Sequence, residues 1–411
     1  MAGLNETPSG ERVHIGFFGV RNAGKSSLVN AVTGQDLAVV SDVAGTTTDP
    51  VRKAMELLPV GPVLIVDTPG LDDEGALGEL RVKKALRALD AADVAVLVVD
   101  STHGMGELDG RLVEAFQSRM VPYAIVWNKS DLVDDKGACA SGQVSLDEAG
   151  CRNVSVRTSA TQGEGIGELK EAIAALAQKT ASERKLVSDL VAPGDVVICV
   201  VPIDSAAPKG RIILPQQQVI RDCIEAEALA CVTSVEALPT MLASLNKPPR
   251  LVVTDSQAFG SVAAIVPDEI PLTSFSILMA RYKGTLETQM RAVRALDDLD
   301  DDSRVLVSEG CTHHRQCGDI GTVKIPAWIR ETSGANPQFE FTSGGEFPSD
   351  VGSYDAIVHC GGCMLNAREM EHRAQVAREQ GVPFTNYGMA IAKANGVLDR
   401  SLAPLGGRSD S

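Results

Sequence analysis

The 411-residue sequence is poor in aromatic side chains, in positive charge and in long apolar runs. Aromatic residues make up 4% of it, and the formal net charge is -16 at pH 7. Stacking of single-stranded bases needs aromatic side chains, and contact with phosphate backbones needs Lys and Arg. These shortages disfavour nucleic acid as a partner.

No apolar run reaches the roughly 18 residues that a membrane-spanning helix needs. The polar residues 1–12 lack the apolar core of a signal peptide. We therefore expect a cytoplasmic protein that does not contact a membrane.

Cysteine is present in an odd number, nine. Thiols stay reduced in the cytoplasm, so we do not expect a disulfide framework. Five cysteines stand singly and are expected to be small buried side chains or incidental thiols: Cys139, Cys151, Cys199, Cys223 and Cys231. The other four cluster with histidines and need a separate explanation: Cys311, Cys317, Cys360 and Cys363.

Short apolar runs alternate with helically spaced segments between residues 10 and 180. Continuous apolar runs are typical of parallel strands that are covered on both faces. This pattern predicts a doubly wound α/β domain. Its expected strands are Val13–Gly19, Val63–Asp67, Asp93–Asp100, Pro122–Asn128 and Asn153–Ser159.

After a predicted linker, Ala181–Asp195, the pattern indicates two smaller α/β domains at 185–268 and 269–411. The first of them is small for a domain that stands alone, so we expect it to make an oligomeric contact. In the second, strands Arg304–Ser308 and Ala356–His359 each run into a cysteine. Because ligands of open α/β sheets bind at the carboxyl ends of the strands, we expect these cysteines to share a site.

Residues 19–26 read G-V-R-N-A-G-K-S and match the phosphate-binding pattern G-x-x-x-x-G-K-[ST] between a strand and a helix. Glycines there let backbone N–H groups face an anion. Lys25 would add a cation at the β- and γ-phosphates, and Ser26 would offer its hydroxyl to Mg²⁺. The expected nucleotide contacts in this loop are Gly19, Asn22, Ala23, Gly24, Lys25, Ser26 and Ser27.

Three further segments indicate GTP as the nucleotide. Asp67-Thr68-Pro69-Gly70 ends a strand, where the carboxylate can reach the Mg²⁺ shell and Gly70 can donate to the γ-phosphate. The second segment, N-K-S-D at residues 128–131, matches the guanine-reading N-K-x-D of GTPases. The third segment, Ser159-Ala160, would donate a backbone N–H to guanine O6. These two segments supply Asn128, Lys129, Asp131, Ser159 and Ala160.

The segment G-T-T-T-D at residues 45–49 resembles the switch of TrmE/Era-type GTPases. That resemblance makes Thr47 a ligand of Mg²⁺ and Asn22 a ligand of an activating K⁺ ion. The alternative for Asn22 is a turn residue that tolerates unusual backbone angles. Leu71 replaces the water-positioning Gln of Ras-type enzymes, so hydrolysis by the chain alone is expected to be slow. The catalytic residues would be Asn22, Lys25, Thr47, Asp67 and Gly70.

Cys360 and Cys363 lie on one loop with two glycines between them, and Cys311 would add a third thiolate. Three cysteines in glycine-rich loops favour a [4Fe–4S] cluster with one iron left open to another ligand. Two cysteines and two histidines could instead hold zinc. The spacing alone leaves the cluster, zinc and no metal open.

The order of these features resembles the HydF family, the maturation GTPases of [FeFe]-hydrogenase. The resemblance implies that Cys311, Cys360 and Cys363 hold the [4Fe–4S] cluster, with His313 and His359 at or near its open position. Cys317 could be a fourth ligand or a nearby structural thiol. The middle domain would form a homodimer interface.

The same resemblance implies a scaffold that receives a di-iron precursor from the radical-SAM maturases HydE and HydG. It would then pass the precursor to apo-[FeFe]-hydrogenase, and GTP would modulate these contacts. The alternative is a TrmE/Era-like GTPase of RNA modification or ribosome assembly, with a zinc or cluster module. Low aromatic content and negative charge disfavour that alternative.

Overall fold

The computed structural model describes the chain in two compact units, residues 1–182 and 183–411. The described residues are 7–35, 50–71, 75–133, 143–177, 184–202, 212–311 and 319–406. Both units consist of mainly parallel sheets with helices, which confirms the predicted α/β class. Over these ranges, no helix combines the length and the apolar character that a bilayer span requires.

Seven strands form the sheet of the first unit: β1 (Val13–Phe18), β2 (Val51–Leu57), β3 (Gly61–Asp67), β4 (Val94–Asp100), β5 (Tyr123–Asn128), β6 (Ser145–Leu146) and β7 (Arg152–Arg157). Their order is β2-β3-β1-β4-β5-β7-β6, and only the outermost pairs are antiparallel. The five parallel strands lie where the apolar runs predicted them. The two antiparallel edge strands are mostly exposed and therefore carry no such run.

Helices cover both faces of this sheet: α1 (Lys25–Thr33), α2 (Gly75–Asp90), α3 (Glu107–Ser118) and α4 (Ile166–Ala177). Successive strand residues point to opposite faces. Phe17 of β1 therefore packs in the core that contains Leu28 of α1 and Leu169 of α4. Phe18 packs in the second core, with Phe116 of α3. The phosphate-binding loop joins β1 to α1.

Two four-stranded parallel sheets form the second unit. The first has the order β11-β10-β8-β9 and the second the order β13-β12-β14-β15. Their strands are β8 (Val196–Val200), β9 (Leu229–Thr233), β10 (Leu251–Thr254), β11 (Leu272–Ser274), β12 (Arg304–Glu309), β13 (Gln338–Ser343), β14 (Ala356–His359) and β15 (Phe384–Asn386).

The helices of the second unit are α5 (Leu214–Glu225), α6 (Leu238–Ser244), α7 (Phe259–Ile265), α8 (Phe275–Tyr282), α9 (Leu286–Ala292), α10 (Ile325–Ser333), α11 (Ala367–Glu379), α12 (Tyr387–Ala394) and α13 (Leu398–Leu402). One continuous core contains Val252 of β10, Val307 of β12 and Ile277 of α8. The middle sheet, which looked small to stand alone, thus shares its core with the third sheet.

Two features of the second unit bear on the predicted domain boundaries. Strand β11 follows the predicted boundary at 268/269 but pairs with β10 of the middle sheet. Part of the predicted linker is packed, because Val187 is buried and its N–H and that of Ser188 donate to the Asp222 carboxylate at 2.6 and 2.7 Å. The boundaries themselves remain predictions.

Candidate functional site

The phosphate-binding loop holds Lys25 at the start of α1 with its ammonium group almost completely buried. Its Nζ donates to the carbonyls of Gly19 at 2.9 Å and Val20 at 2.8 Å. Gly24 has a φ of +89°, and a Cβ there would lie 2.3 Å from Nδ2 of Asn128. Only glycine fits at this position, because it lacks a Cβ and tolerates positive φ. The loop therefore keeps the open backbone that phosphate binding needs.

Burial lowers the pKa of Lys25 to about 8, and the carboxylates of Asp67 and Asp109 only partly oppose this shift. Asp109 lies in the first turn of α3, and burial raises the pKa of its own carboxyl group. Sequence analysis missed Asp109 because nothing in its local pattern separates it from a helix-capping residue.

Ser26 and Asp67, the two residues of this region that were predicted to face Mg²⁺, are in contact with each other. Ser26 Oγ donates to Asp67 Oδ2 at 3.0 Å, while the buried Oδ1 has no hydrogen-bond partner within the described ranges. Burial raises the pKa of Asp67. A hard cation would satisfy this carboxylate, so the residues fit Mg²⁺. The predicted third ligand, Thr47, lies outside the described residues.

The segment after β3 lies directly on the phosphate-binding loop. Leu71 N–H donates to the Gly19 carbonyl at 3.3 Å, and Arg21 N–H donates to the Leu71 carbonyl at 3.0 Å. A Cβ on Gly70 would lie 2.9 Å from the Arg21 Cα, so the close approach requires glycine. The Leu71 side chain is buried in the core and offers no group to orient a water molecule.

Asn128 at the end of β5 connects two of the predicted nucleotide segments. Its buried side chain donates from Nδ2 to the Ala23 carbonyl at 3.1 Å, and its Oδ1 accepts from the Ala160 N–H at 3.1 Å. Ser159 is fully buried beside Ala160, and Asp131 is exposed at the short 3₁₀ turn Ser130–Leu132. The structure thus brings the phosphate loop, N-K-x-D and Ser-Ala segments together.

Lys129 is held by Asp100, a residue that sequence analysis did not select. Lys129 Nζ donates to Asp100 Oδ2 at 2.6 Å. Although burial pushes its pKa upward, hydrogen bonds from Lys129 and Thr102 hold the pKa of Asp100 at about 2. Asp100 ends β4, which is the neighbour of β5 in the sheet. A carboxylate at the end of the apolar run of β4 was the feature of the sequence that could have identified it.

Asn22 lies exposed in the turn of the phosphate-binding loop, with a φ of +62°. Asparagine is one of the few side-chain-bearing residues that tolerate this conformation. The backbone therefore accounts for an asparagine here without an ion. The K⁺ assignment remains a prediction.

The cysteine site lies at the ends of β12 and β14, which are parallel neighbours with Ser308 opposite His359. Cys311 follows β12, and Cys360 follows β14. Backbone N–H groups donate to the Cys360 sulfur from Gly310 at 3.1 Å and from Gly362 at 3.4 Å. Such donors stabilise thiolate ligands, so this donor set suits an iron–sulfur cluster.

Burial raises the pKa of the Cys360 thiol to about 11, although the two N–H donors oppose the shift. Burial also raises the pKa of Cys363, while the charge of the buried Lys283 opposes it. Because iron binds thiolates, binding of a cluster by these cysteines would release protons.

Across the part of the chain that the structure describes, no three Cys, His, Asp or Glu side chains lie close enough to hold a single metal ion. The predicted residues His313 and Cys317 lie outside the described residues.

His359 is completely buried at the end of β14. Its Nδ1 lies 2.7 Å from the Cys360 carbonyl oxygen, and its Nε2 lies 3.0 Å from Arg373 Nη1. Burial and the positive charge of Arg373 lower the pKa of His359 to about 3. The ring is therefore neutral at physiological pH.

Three sequence models of known families match the chain. The hydrogen maturase F dimerization domain matches residues 186–284, and the hydrogen maturase F tetramerization domain matches residues 287–404. Together these two matches span more than half of the chain. The 50S ribosome-binding GTPase family matches residues 14–129. The first unit is thus a GTPase domain. The family that matches residues 287–404 is named for tetramer assembly and not for a cluster.

Individual relatives match the GTPase domain. The tRNA modification GTPase MnmE of Bordetella petrii is 34% identical over 168 residues, which is 41% of this chain and 34% of that protein. GTPase Der of Kosmotoga olearia is 33% identical over 177 residues, 41% of this chain and 40% of that protein. The chain spans about a third of the length of the MnmE relatives that it matches.

Among solved structures, Era of Aquifex aeolicus bound to GDP.AlF4- has a TM-score of 0.33 and 18% identity. The match covers 54% of this chain and 92% of that chain.

The buried ammonium of Lys25 predicts a pH dependence of nucleotide affinity. The pKa of about 8 in the free chain lies below the ordinary value, so the cation that binds phosphate is lost as the pH rises through 8. Between pH 7 and pH 9 we expect GDP affinity to fall roughly tenfold. Isothermal titration calorimetry measures it. Lys25→Arg is the control, because its cation persists at pH 9; an equal fall in that variant would contradict the assignment to Lys25.

Proposed function

The chain belongs to the hydrogen maturase F family, and from that premise we propose that it is a GTPase scaffold of [FeFe]-hydrogenase maturation. It would hold a [4Fe–4S] cluster and receive a di-iron precursor from the radical-SAM maturases HydE and HydG. It would then deliver the precursor to apo-[FeFe]-hydrogenase. The proposal extends to a cytoplasmic location.

The observation that carries the proposal is the pair of neighbouring parallel strands, β12 and β14, that are each followed by a cysteine. Cys311 follows β12, and Cys360 and Cys363 follow β14 in a loop whose Gly362 N–H donates to the Cys360 sulfur. Three thiolates on these two loops would hold the cluster and leave one iron to a non-cysteine ligand. When bound, the cluster would supply this open iron position as a point of attachment for the precursor.

The chain's own residues contribute burial, charge and donors to this site. The N–H groups of Gly310 and Gly362 would offset negative charge on the Cys360 sulfur. The ammonium of Lys283, almost completely buried, would offset charge at Cys363. These contacts favour the thiolate forms that iron needs, against the opposing effect of burial.

GTP binding and slow hydrolysis in the first unit would regulate contacts with the partner proteins. Lys25, Ser26 and Asp67 would hold the phosphates and Mg²⁺, while Asp131 and Ala160 would read guanine. Leu71 leaves the attacking water without a side-chain partner. Charge at the transition state would come from K⁺ near Asn22, since many GTPases need an added cation there.

Strand β9 supports the proposed homodimer. It is an edge strand of the middle sheet, and Leu229 and Val232 on it are 56% and 45% exposed. An exposed apolar edge strand offers unpaired backbone groups to a second chain. β9 lies within the matched dimerization domain, so we place the dimer contact at this edge.

Serine at the three cysteines tests cluster binding. We expect Cys311→Ser, Cys360→Ser and Cys363→Ser each to lose the iron–sulfur absorption after anaerobic reconstitution, and to lose activation of apo-hydrogenase. GTP hydrolysis should remain, because the GTPase site is in the other unit. Cys151→Ser is the control and should keep all three properties, because serine can keep the hydrogen bond that the Cys151 thiol donates to the Val121 carbonyl. Colourless wild-type protein with stoichiometric zinc would instead favour the RNA-directed GTPase.

The substitution Asn22→Gly tests whether Asn22 is a K⁺ ligand or only a turn residue. Asn22→Gly keeps the positive φ but removes the amide oxygen. We expect wild-type GTP hydrolysis to be faster in KCl than in NaCl, and the variant to hydrolyse GTP equally slowly in both salts. Stimulation by K⁺ that survives in Asn22→Gly would reduce Asn22 to a turn residue.

A charge on the edge of β9 tests the dimer. Val232→Lys should block strand pairing and halve the mass of the assembly in light scattering after size-exclusion chromatography. Val51→Lys, on the exposed edge strand β2 of the first unit, is the matched control and should leave the mass unchanged. An unchanged mass in Val232→Lys would exclude this edge as the contact.

A further inference from the structure

His359 and Cys360 are adjacent in sequence but face opposite sides of the third sheet. Ile357 and Phe384 pack in one core of the unit, and the His359 ring lies beside Phe384 with 5.6 Å between ring centroids. Val358 packs in the other core, against which Cys360 also packs. This arrangement follows from the alternation of side chains along a strand.

Both ring nitrogens of His359 are used within the protein. The guanidinium of Arg373 can only donate, so the Nε2 atom 3.0 Å from its Nη1 must accept. The proton of the neutral ring is then on Nδ1, which donates to the Cys360 carbonyl at 2.7 Å. No lone pair of this tautomer remains for iron.

Arg373 is itself held in place by several elements. It is 1% exposed, and its Nη2 donates to Glu369 Oε1 at 2.6 Å and to the Gly344 carbonyl at 2.7 Å. Its guanidinium lies 5.3 Å from the centroid of the Phe347 ring. Helix α11, the loop after β13 and the end of β14 thus meet at one buried cation. Removing the histidine acceptor would leave a donor of this cation unpaired.

We propose that His359 is a positioning residue that holds the Cys360 carbonyl through Nδ1–H, with Arg373 fixing its tautomer, and that it is not the fourth ligand of the cluster. The inference rests on the proposed function. Its consequence is that the open iron position belongs to another group or to the precursor. The hydrogen bond orients the loop that carries both Cys360 and Cys363, as donor groups behind metal ligands commonly do.

Two substitutions separate positioning from ligation. His359→Asn places an amide nitrogen near the position of Nδ1, so it can still donate to the Cys360 carbonyl, but it has no group at Nε2. His359→Leu removes both nitrogens. For a positioning role we expect His359→Asn to bind the cluster as wild type does. His359→Leu should bind iron roughly 10- to 100-fold more weakly.

Pulsed EPR of the reduced, reconstituted chain supplies the second measurement. The chain is prepared with ¹⁴N- or ¹⁵N-labelled histidine, so that a directly bound imidazole shows an isotope-dependent coupling. We expect the same spectrum for wild type and His359→Asn. A coupling that His359→Asn removes and His313→Asn retains would make His359 an iron ligand and overturn the inference. Wild-type iron affinity in His359→Leu would overturn the positioning role.

A third measurement needs no cluster and so does not depend on its assembly. Long-range ¹H–¹⁵N NMR of the metal-free wild-type chain with ¹⁵N-histidine should show the Nδ1–H tautomer for the signal that His359→Asn removes. The Nε2–H tautomer would overturn the inference. Wild-type protein that takes up no cluster would overturn the proposed function, and the inference with it. A loaded wild type with a His359-dependent coupling would overturn the inference alone.

Discussion

Parallel β-strands bring their carboxyl ends to one edge of a sheet, and both candidate sites of this chain depend on that constraint. In the first unit the phosphate-binding loop follows β1, the Asp67 segment follows β3 and the guanine-reading segment follows β5. In the second unit, Cys311 follows β12 and Cys360 follows β14. Residues far apart in sequence meet because their strands are neighbours in the sheet.

Burial sets the chemistry at these edges. Lys25, Asn128, His359 and Arg373 are all buried polar side chains, and an unpaired polar group at such a position would destabilise the fold. Each is therefore hydrogen-bonded, and the bonds of two of them join separate segments of the chain. Asn128 connects the phosphate loop to the Ser-Ala segment, and Arg373 connects three elements behind the cysteines. The same contacts that stabilise the fold orient the functional groups.

The two units differ in how specifically the proteins that resemble them indicate a function. The GTPase domain resembles tRNA modification and other GTPases at about a third identity, so this domain by itself suits several functions. The second unit narrows the choice, because its two matched regions carry the hydrogen maturase F description. The hydrogen maturase F matches, and not the cysteines by themselves, separate this chain from a GTPase of RNA modification that carries a metal module.

The sequence by itself determined the α/β class, the GTP motifs and the cysteine candidates, because apolar periodicity and short motifs are local properties. Only the tertiary structure decided the edge strands, which carry no apolar run, and the partners Asp100 and Asp109. It also decided the direction of the His359 ring. The sequence His-Cys-x-x-Cys is identical whichever face of the sheet the histidine ring occupies. Strand alternation and the distant Arg373, which no local pattern encodes, select that face.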